Sequence, residues 1–220
     1  MPATGLPRPA SADEKPLRIP NLNQTQLSCR RNPLQRFARS RLPLPVKLCA
    51  LLLVYSLASG LFLLLATPPF QTPDALAHFF RSAQIADGHW LGQRYDDTSG
   101  GDVDASAIAF ANAYSLIPFH MEAKATSALR TATDDLVWSG RMERVSFPNT
   151  AIYPAFAYVP QVLAIAAGRV AGMRIHTTYA LACAAGLVFS IALTALAVAI
   201  SRRTSILIFA TGLLPTTMMT

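Results

Sequence analysis

The sequence predicts an all-α, multi-pass transmembrane helical protein with a small extracytoplasmic cap and a disordered N-terminal tail. Three observations predict it. Of 220 residues, 52% are hydrophobic and only 14% charged, against roughly 25% charged in an ordinary soluble domain. Charge-free apolar runs occupy residues 48–66, 175–201 and 204–220, and about 20 such residues cross the ~30 Å of bilayer hydrocarbon. The charges are also segregated. Residues 1–47 hold nine Lys/Arg and two acids, 67–150 hold six Lys/Arg and ten acids, and the remainder holds four arginines and no acid. The basic balance is therefore regional, which disfavours a soluble enzyme, a DNA-binding domain and a disulfide scaffold.

The tail, residues 1–45, has eight of the sixteen prolines and almost no apolar periodicity, so it is expected to be disordered and cytoplasmic. Arg30, Arg31, Arg36, Arg39 and Arg41 act there as a topology signal, with contact to anionic lipid as the alternative. The first span is assigned to 46–67 and is closed by Thr67-Pro68-Pro69, since proline disfavours helix in the residues before it. A signal peptide is the competing account. Its n-region would be far too long, and its apolar stretch exceeds the usual ~7–15 residues. Residues 68–150 then form an outer loop, which suits their acidic balance. A second span is expected over 151–173 despite Pro154, Pro160 and Arg169, because prolines in a first helical turn cost no hydrogen bond. The alternative is a re-entrant or interfacial segment. A third span is expected over 175–201 and the start of a fourth over 204–220. With the tail inside, Arg169 and Arg174 fall on the cytoplasmic side and Arg202-Arg203 outside, which breaks the positive-inside rule. The conflict disappears if 151–173 does not cross.

The outer loop carries the chemistry. An interfacial helix is expected over 73–87, with Thr72 as cap, Pro73 in the first turn, Asp74 against the helix dipole and Gly88 as terminator. On a helical wheel Leu76, Phe79, Phe80 and Ala83 form an apolar face, and Asp74, His78 and Arg81 form the water-edge face. Asp74 and His78 are candidate catalytic residues, as general base and proton relay, or together as ligands of a divalent cation. Arg81 is a candidate phosphate-binding residue. The plain alternative is a capping aspartate with a histidine bonded to it. Asp96–Asp104 resembles a calcium loop but fails the EF-hand alternation and lacks a closing glutamate, so a solvated turn is expected. Asp134-Asp135, His89 and His120 have no partner at diagnostic spacing. No phosphate loop, dinucleotide fingerprint, nucleophile elbow or zincin motif is present. Cys29, Cys49 and Cys183 lie in the tail and the spans, so no disulfide framework or zinc site is available. The basic tail lacks aromatic interleaving, and no nucleic-acid partner is expected.

Three features together are more specific: Pro73-Asp74 with His78-Phe79 just outside the first span, Gly88 after a short helix, and the Phe147–Gln161 segment rich in Tyr and Pro. They resemble the bacterial membrane proteins grouped as domain of unknown function 2142 (DUF2142), in which a Pro-Asp-Glu-x-x-His stretch follows the first helix. The resemblance covers roughly 46–220, about the N-terminal half of such a protein, so an N-terminal fragment is expected. Ala75 departs from the pattern, which usually has glutamate there. The family layout is similar to that of GT-C glycosyltransferases, which use polyprenyl-phosphate-linked sugars. It implies a bacterial inner-membrane location, a lipid-linked sugar partner in cell-envelope polysaccharide assembly, and Asp74 as base or metal ligand. The alternative function is a non-catalytic membrane subunit or a lipid/polysaccharide transport component.

Overall fold

The computed structural model describes residues 43–120, 122–201 and 204–213, all within one compact unit that begins at Leu42. Residues 1–42 of the tail, with Cys29 and its arginines, lie outside the described residues, as do Arg202-Arg203 and 214–220. In chain order the elements are α1 (Leu44–Ala66), α2 (Ala75–Ala86), β1 (Gln93–Tyr95), β2 (Thr98–Asp104), α3 (Ala105–Tyr114), α4 (Ser127–Asp134), β3 (Met142–Ser146), α5 (Pro148–Ala151), α6 (Val159–Val170), α7 (Ile175–Ile200) and α8 (Ser205–Gly212). Short 3-10 turns fall at Ile117–Phe119 and Ala155–Tyr158.

Leucine- and alanine-rich sequence without charge makes α1 and α7 continuous. Proline stands in the first turn of α1, and the helix stops at Thr67, before Pro68-Pro69. The two helices run antiparallel. Cys49 Sγ donates to Ala195 O at 3.3 Å, Gly60 lies beneath Leu187, and Phe70 N–H donates to Tyr179 Oη at 3.3 Å. The buried residues of α1 are Leu48, Leu52, Ser56 and Gly60, a stripe spaced four apart whose small members let the backbones approach. Gly212 in α8 packs back onto Thr194 and Leu52. Val54, Phe62 and Leu65 are exposed. α1 and α7 are long and apolar enough to cross a membrane, yet only 22% and 11% of their most apolar windows are covered by protein. A core helix of a soluble protein would be mostly covered, so these two helices present an unusually large uncovered apolar surface.

The residues between the two long helices gather as a cap at one end. Its core joins Phe79 and Phe80 of α2, Val103 of β2, Phe110 and Tyr114 of α3, Phe147 and Ile165 of α6. The described residues are mostly helical, but the cap corrects the all-α expectation. An antiparallel sheet of order β1-β2-β3 runs through it, with Tyr95 opposite Thr98 and Asp102 opposite Arg144. The Asp96–Asp104 stretch is thus a tight hairpin turn, with Asp96 left-handed at φ 37, followed by β2. Gly100 and Gly101 admit no Cβ, which would strike the Val145 carbonyl and the Gln84 side chain. These glycines let α2 close over the sheet.

Asp104 fastens the end of β2. Its buried carboxylate accepts from Ser106 N–H (2.8 Å), Ser139 Oγ (3.0 Å) and Gly140 N–H (2.7 Å). Burial raises its pKa, but these hydrogen bonds lower it further, so the net direction is down. The stability it contributes is present above the unfolded-state value of about 3.9 and is lost as pH falls through the lower folded value. Acid proteolysis of the cap should therefore begin below about pH 4, and Asp104→Asn should make the cap protease-sensitive at neutral pH while flattening that acid dependence. An unchanged acid profile would show that Asp104 does not couple protons to the cap.

The expected span over 151–173 is not one helix. A break at Ile152–Pro154 separates α5 from the 3-10 turn, and α6 has twelve residues, about 18 Å at 1.5 Å per residue. Gly172 ends it at φ 65, with Met173 N–H returning to Gly168 O at 2.8 Å. α6 doubles back along α7, Gly168 against Thr178 and Gly186 against Gln161. Both arginines of this stretch pair with acids of the 67–150 loop. Arg169 pairs with Asp87 and lies 4.0 Å over the Trp138 ring. Arg174 pairs with Asp135 and His176 with Asp134, both at 3.2 Å.

Candidate functional site

Two strained residues bracket the turn from α1 into α2. Phe70 has φ 60 and Asp74 has φ 58, and for a bulky side chain this region costs on the order of 1–2 kcal/mol. Phe70 is held there by its surroundings. Its buried ring packs on Tyr179 (4.6 Å), Phe110 (5.5 Å) and Phe79 (5.6 Å), pairs worth about 0.5–1.5 kcal/mol each. Aspartate tolerates the left-handed region better.

The helix starts at Ala75, not at Pro73. Asp74 stands at the N-cap position but its side chain does not cap, because the left-handed backbone points it elsewhere. Asp74 Oδ1 accepts from Asn149 Nδ2 at 2.9 Å. One turn on, His78 Nδ1 and Tyr158 Oη are hydrogen-bonded at 2.9 Å, and the imidazole stacks on Tyr153 at 6.1 Å. Thr150 Oγ1 donates to Ala77 O at 2.9 Å. The two motif stretches, 72–81 and 147–161, therefore meet side by side. Burial pushes the His78 imidazole below its ordinary value, outweighing the upward pull of Asp74, which favours the neutral ring. Among the described residues its Nε2 has no hydrogen-bond partner.

Asp74 and His78 line neighbouring recesses that have Thr72, Pro73 and Ala75 in common. His78 lines one of about 190 Å³ with Ser82, Tyr158, Gln161, Tyr179 and Ser190, and no Lys, Arg, Asp or Glu borders it. Asp74 is exposed and lines a recess of about 480 Å³ with Phe70, Ser115, Pro118 and Phe119. Among the described residues no three His, Cys, Asp or Glu side chains cluster.

Arg81 is not at the water edge. α2 is buried along Phe79–Ile85 on both faces of the wheel, because the sheet and α6 cover the side expected to face water. The residue as a whole is 2% exposed. Its Nη1 donates to Gln84 Oε1 (2.6 Å), and its Nη2 to Trp90 O (2.8 Å) and Tyr153 O (3.2 Å). Both Nη groups are bonded to the protein, while the buried Nε has no partner among the described residues. Asn149, Tyr153, Tyr158 and Gln161 received no role in the sequence reading. Their membership in the Tyr/Pro-rich segment was the available signal.

A family model described as Predicted membrane protein (DUF2142) matches residues 57–220. No curated protein and no solved structure matches.

Proposed function

Because the chain belongs to the DUF2142 family of predicted membrane proteins, we propose that it is a multi-pass protein of the bacterial inner membrane, its cap outside, and the N-terminal part of a GT-C-like glycosyltransferase. The donor is a polyprenyl-phosphate sugar used for cell-envelope polysaccharide. One observation carries the reading: the two motif stretches converge, Asp74 on Asn149 and His78 on Tyr158. A carboxylate there reaches a headgroup sugar whose tail stays in the bilayer. Strained non-glycine backbone such as that of Asp74 tends to gather at functional sites. In the reaction Asp74 takes the proton of an acceptor hydroxyl as its oxygen bonds to the anomeric carbon, and the bond from that carbon to the lipid phosphate breaks, the phosphate leaving with the electron pair. His78, neutral and held by Tyr158, offers Nε2 to sugar hydroxyls in the adjoining cavity, and Arg81 positions the backbone around it.

The non-catalytic alternative, a membrane subunit or lipid/polysaccharide transport component, is favoured by one feature: Ala75 supplies no second carboxylate beside Asp74. The test is lipid-linked sugar turnover by the full-length parent in isolated membranes, wild type against Asp74→Asn at matched protein level. Turnover that ignores the substitution supports the non-catalytic reading.

A further inference from the structure

The cap carries a patch of large apolar side chains without protein cover: Trp90, Leu91, Ile152, Tyr153, Phe156 and Leu163. Leu91, Ile152 and Phe156 are 81%, 78% and 75% exposed. Two segments far apart in sequence build it, and they are fastened together. Gly92 lies so close to the Ala151 carbonyl that a Cβ would collide. Buried Arg81 reaches the carbonyls of both Trp90 and Tyr153. A charged side chain without an acidic partner among the described residues is thus used as a brace for an apolar surface, whose exposure to water would be unfavourable.

The depth of this patch follows from the long helices. Gln161 in the first turn of α6 lies against Gly186 of α7. Counted back from Ile200 at about 1.5 Å per residue, ~30 Å of hydrocarbon ends near Ala180, so the start of α6 sits about 9 Å inside the outer boundary. α1 gives the same depth independently, since Gly60 lies beneath Leu187 and Ala66 is six residues, about 9 Å, further out. Interfacial elements bury their apolar face about 5–10 Å below the headgroup boundary, and Trp and Tyr favour that zone. The patch also continues onto α7, where Val188 and Phe189 beside Gly186 are exposed.

We infer that Trp90, Leu91, Ile152, Tyr153, Phe156 and Leu163 form a foot of the cap that sinks into the acyl chains of the outer leaflet. α6 rises from that depth to the Asp87–Arg169 pair without crossing. The foot rests on the membrane-spanning reading of α1 and α7 above, not on sugar transfer.

Trp90 and Trp138 are the two tryptophans of the chain, so Trp138→Phe leaves Trp90 as a native probe. The full chain carrying this substitution is reconstituted into phosphatidylcholine/phosphatidylglycerol vesicles containing brominated lipids. The expected result is blue-shifted emission from Trp90, quenched more by bromine near the top of the chains than near the midplane. As a second probe, Phe156→Cys bearing an environment-sensitive dye, with Cys29, Cys49 and Cys183 changed to Ala, should give the same depth order. Emission typical of water at both positions overturns the proposal. So does blue-shifted emission that no bromolipid quenches, which would put a second copy or another protein over the patch. Carbonate-resistant protein with unquenched probes defeats the foot alone, whereas protein released by carbonate defeats the spanning reading with it.

Discussion

Asp74→Asn in the full-length parent should lower lipid-linked sugar turnover by on the order of 10²-fold or more, the usual scale of general acid–base assistance, with membrane abundance near wild type. Asparagine is the informative replacement here. It tolerates the left-handed backbone at φ 58, and its side-chain carbonyl can still accept from Asn149 Nδ2. Only charge and basicity are lost. Asp74→Ala differs: it strains the same backbone by roughly 1–2 kcal/mol and strands Asn149, so it should lower abundance as well as turnover. His78→Gln should have a smaller effect than Asp74→Asn, because in the proposed reaction His78 only orients substrate and Asp74 accepts the proton. Turnover is measured in membranes and normalised to protein level by immunoblot.

Arg81→Met should cost the cap about 3 kcal/mol or more. The substitution keeps much of the apolar stem but removes every donor, leaving Gln84 Oε1 and the carbonyls of Trp90 and Tyr153 unpaired in the interior, at roughly 1–3 kcal/mol per buried group. Arg81→Lys recovers little, since one ammonium cannot reproduce the fork that reaches two segments at once. Urea-dependent proteolysis of the cap in membranes should shift to lower urea for both variants. If Arg81 instead held substrate phosphate, Arg81→Met would leave the proteolysis curve unchanged and raise only KM.

The long helices were legible because their signal is local: a charge-free run closed by prolines is a helix wherever it sits. α2 was legible as a helix for the same reason, but its environment was not. The wheel put Asp74, His78 and Arg81 on a water-facing side, and nothing local announces that β2 covers that side. β2 itself, Thr-Ser-Gly-Gly-Asp-Val-Asp, lacks the apolar alternation that marks a strand and is dominated by Gly and Asp, with Thr98 and Val103 its two β-branched residues. Its glycines are dictated by Val145 and Gln84, partners far away in sequence. Composition likewise made 151–173 look like a span, while the ion pairs that hold its end to the cap, Arg169 with Asp87 and Arg174 with Asp135, join residues about 40 to 80 positions apart. Of the site, Asp74 and His78 could be found from their spacing and from the family resemblance. Their partners Asn149 and Tyr158 could not, since only the folded cap brings them within 2.9 Å.

The central claim is that the segment joining the two long helices, α6 included, lies on one side of the membrane. In a background with Cys29, Cys49 and Cys183 replaced by Ala, single cysteines at Val137 in the loop and at Met173 after α6 are treated with an impermeant maleimide in intact cells. Both native side chains are exposed, so both cysteines are accessible to the reagent. The account predicts labelling of both from the same, outer side without permeabilisation. Labelling of Val137→Cys from outside and of Met173→Cys only after permeabilisation would make α6 a crossing and contradict it.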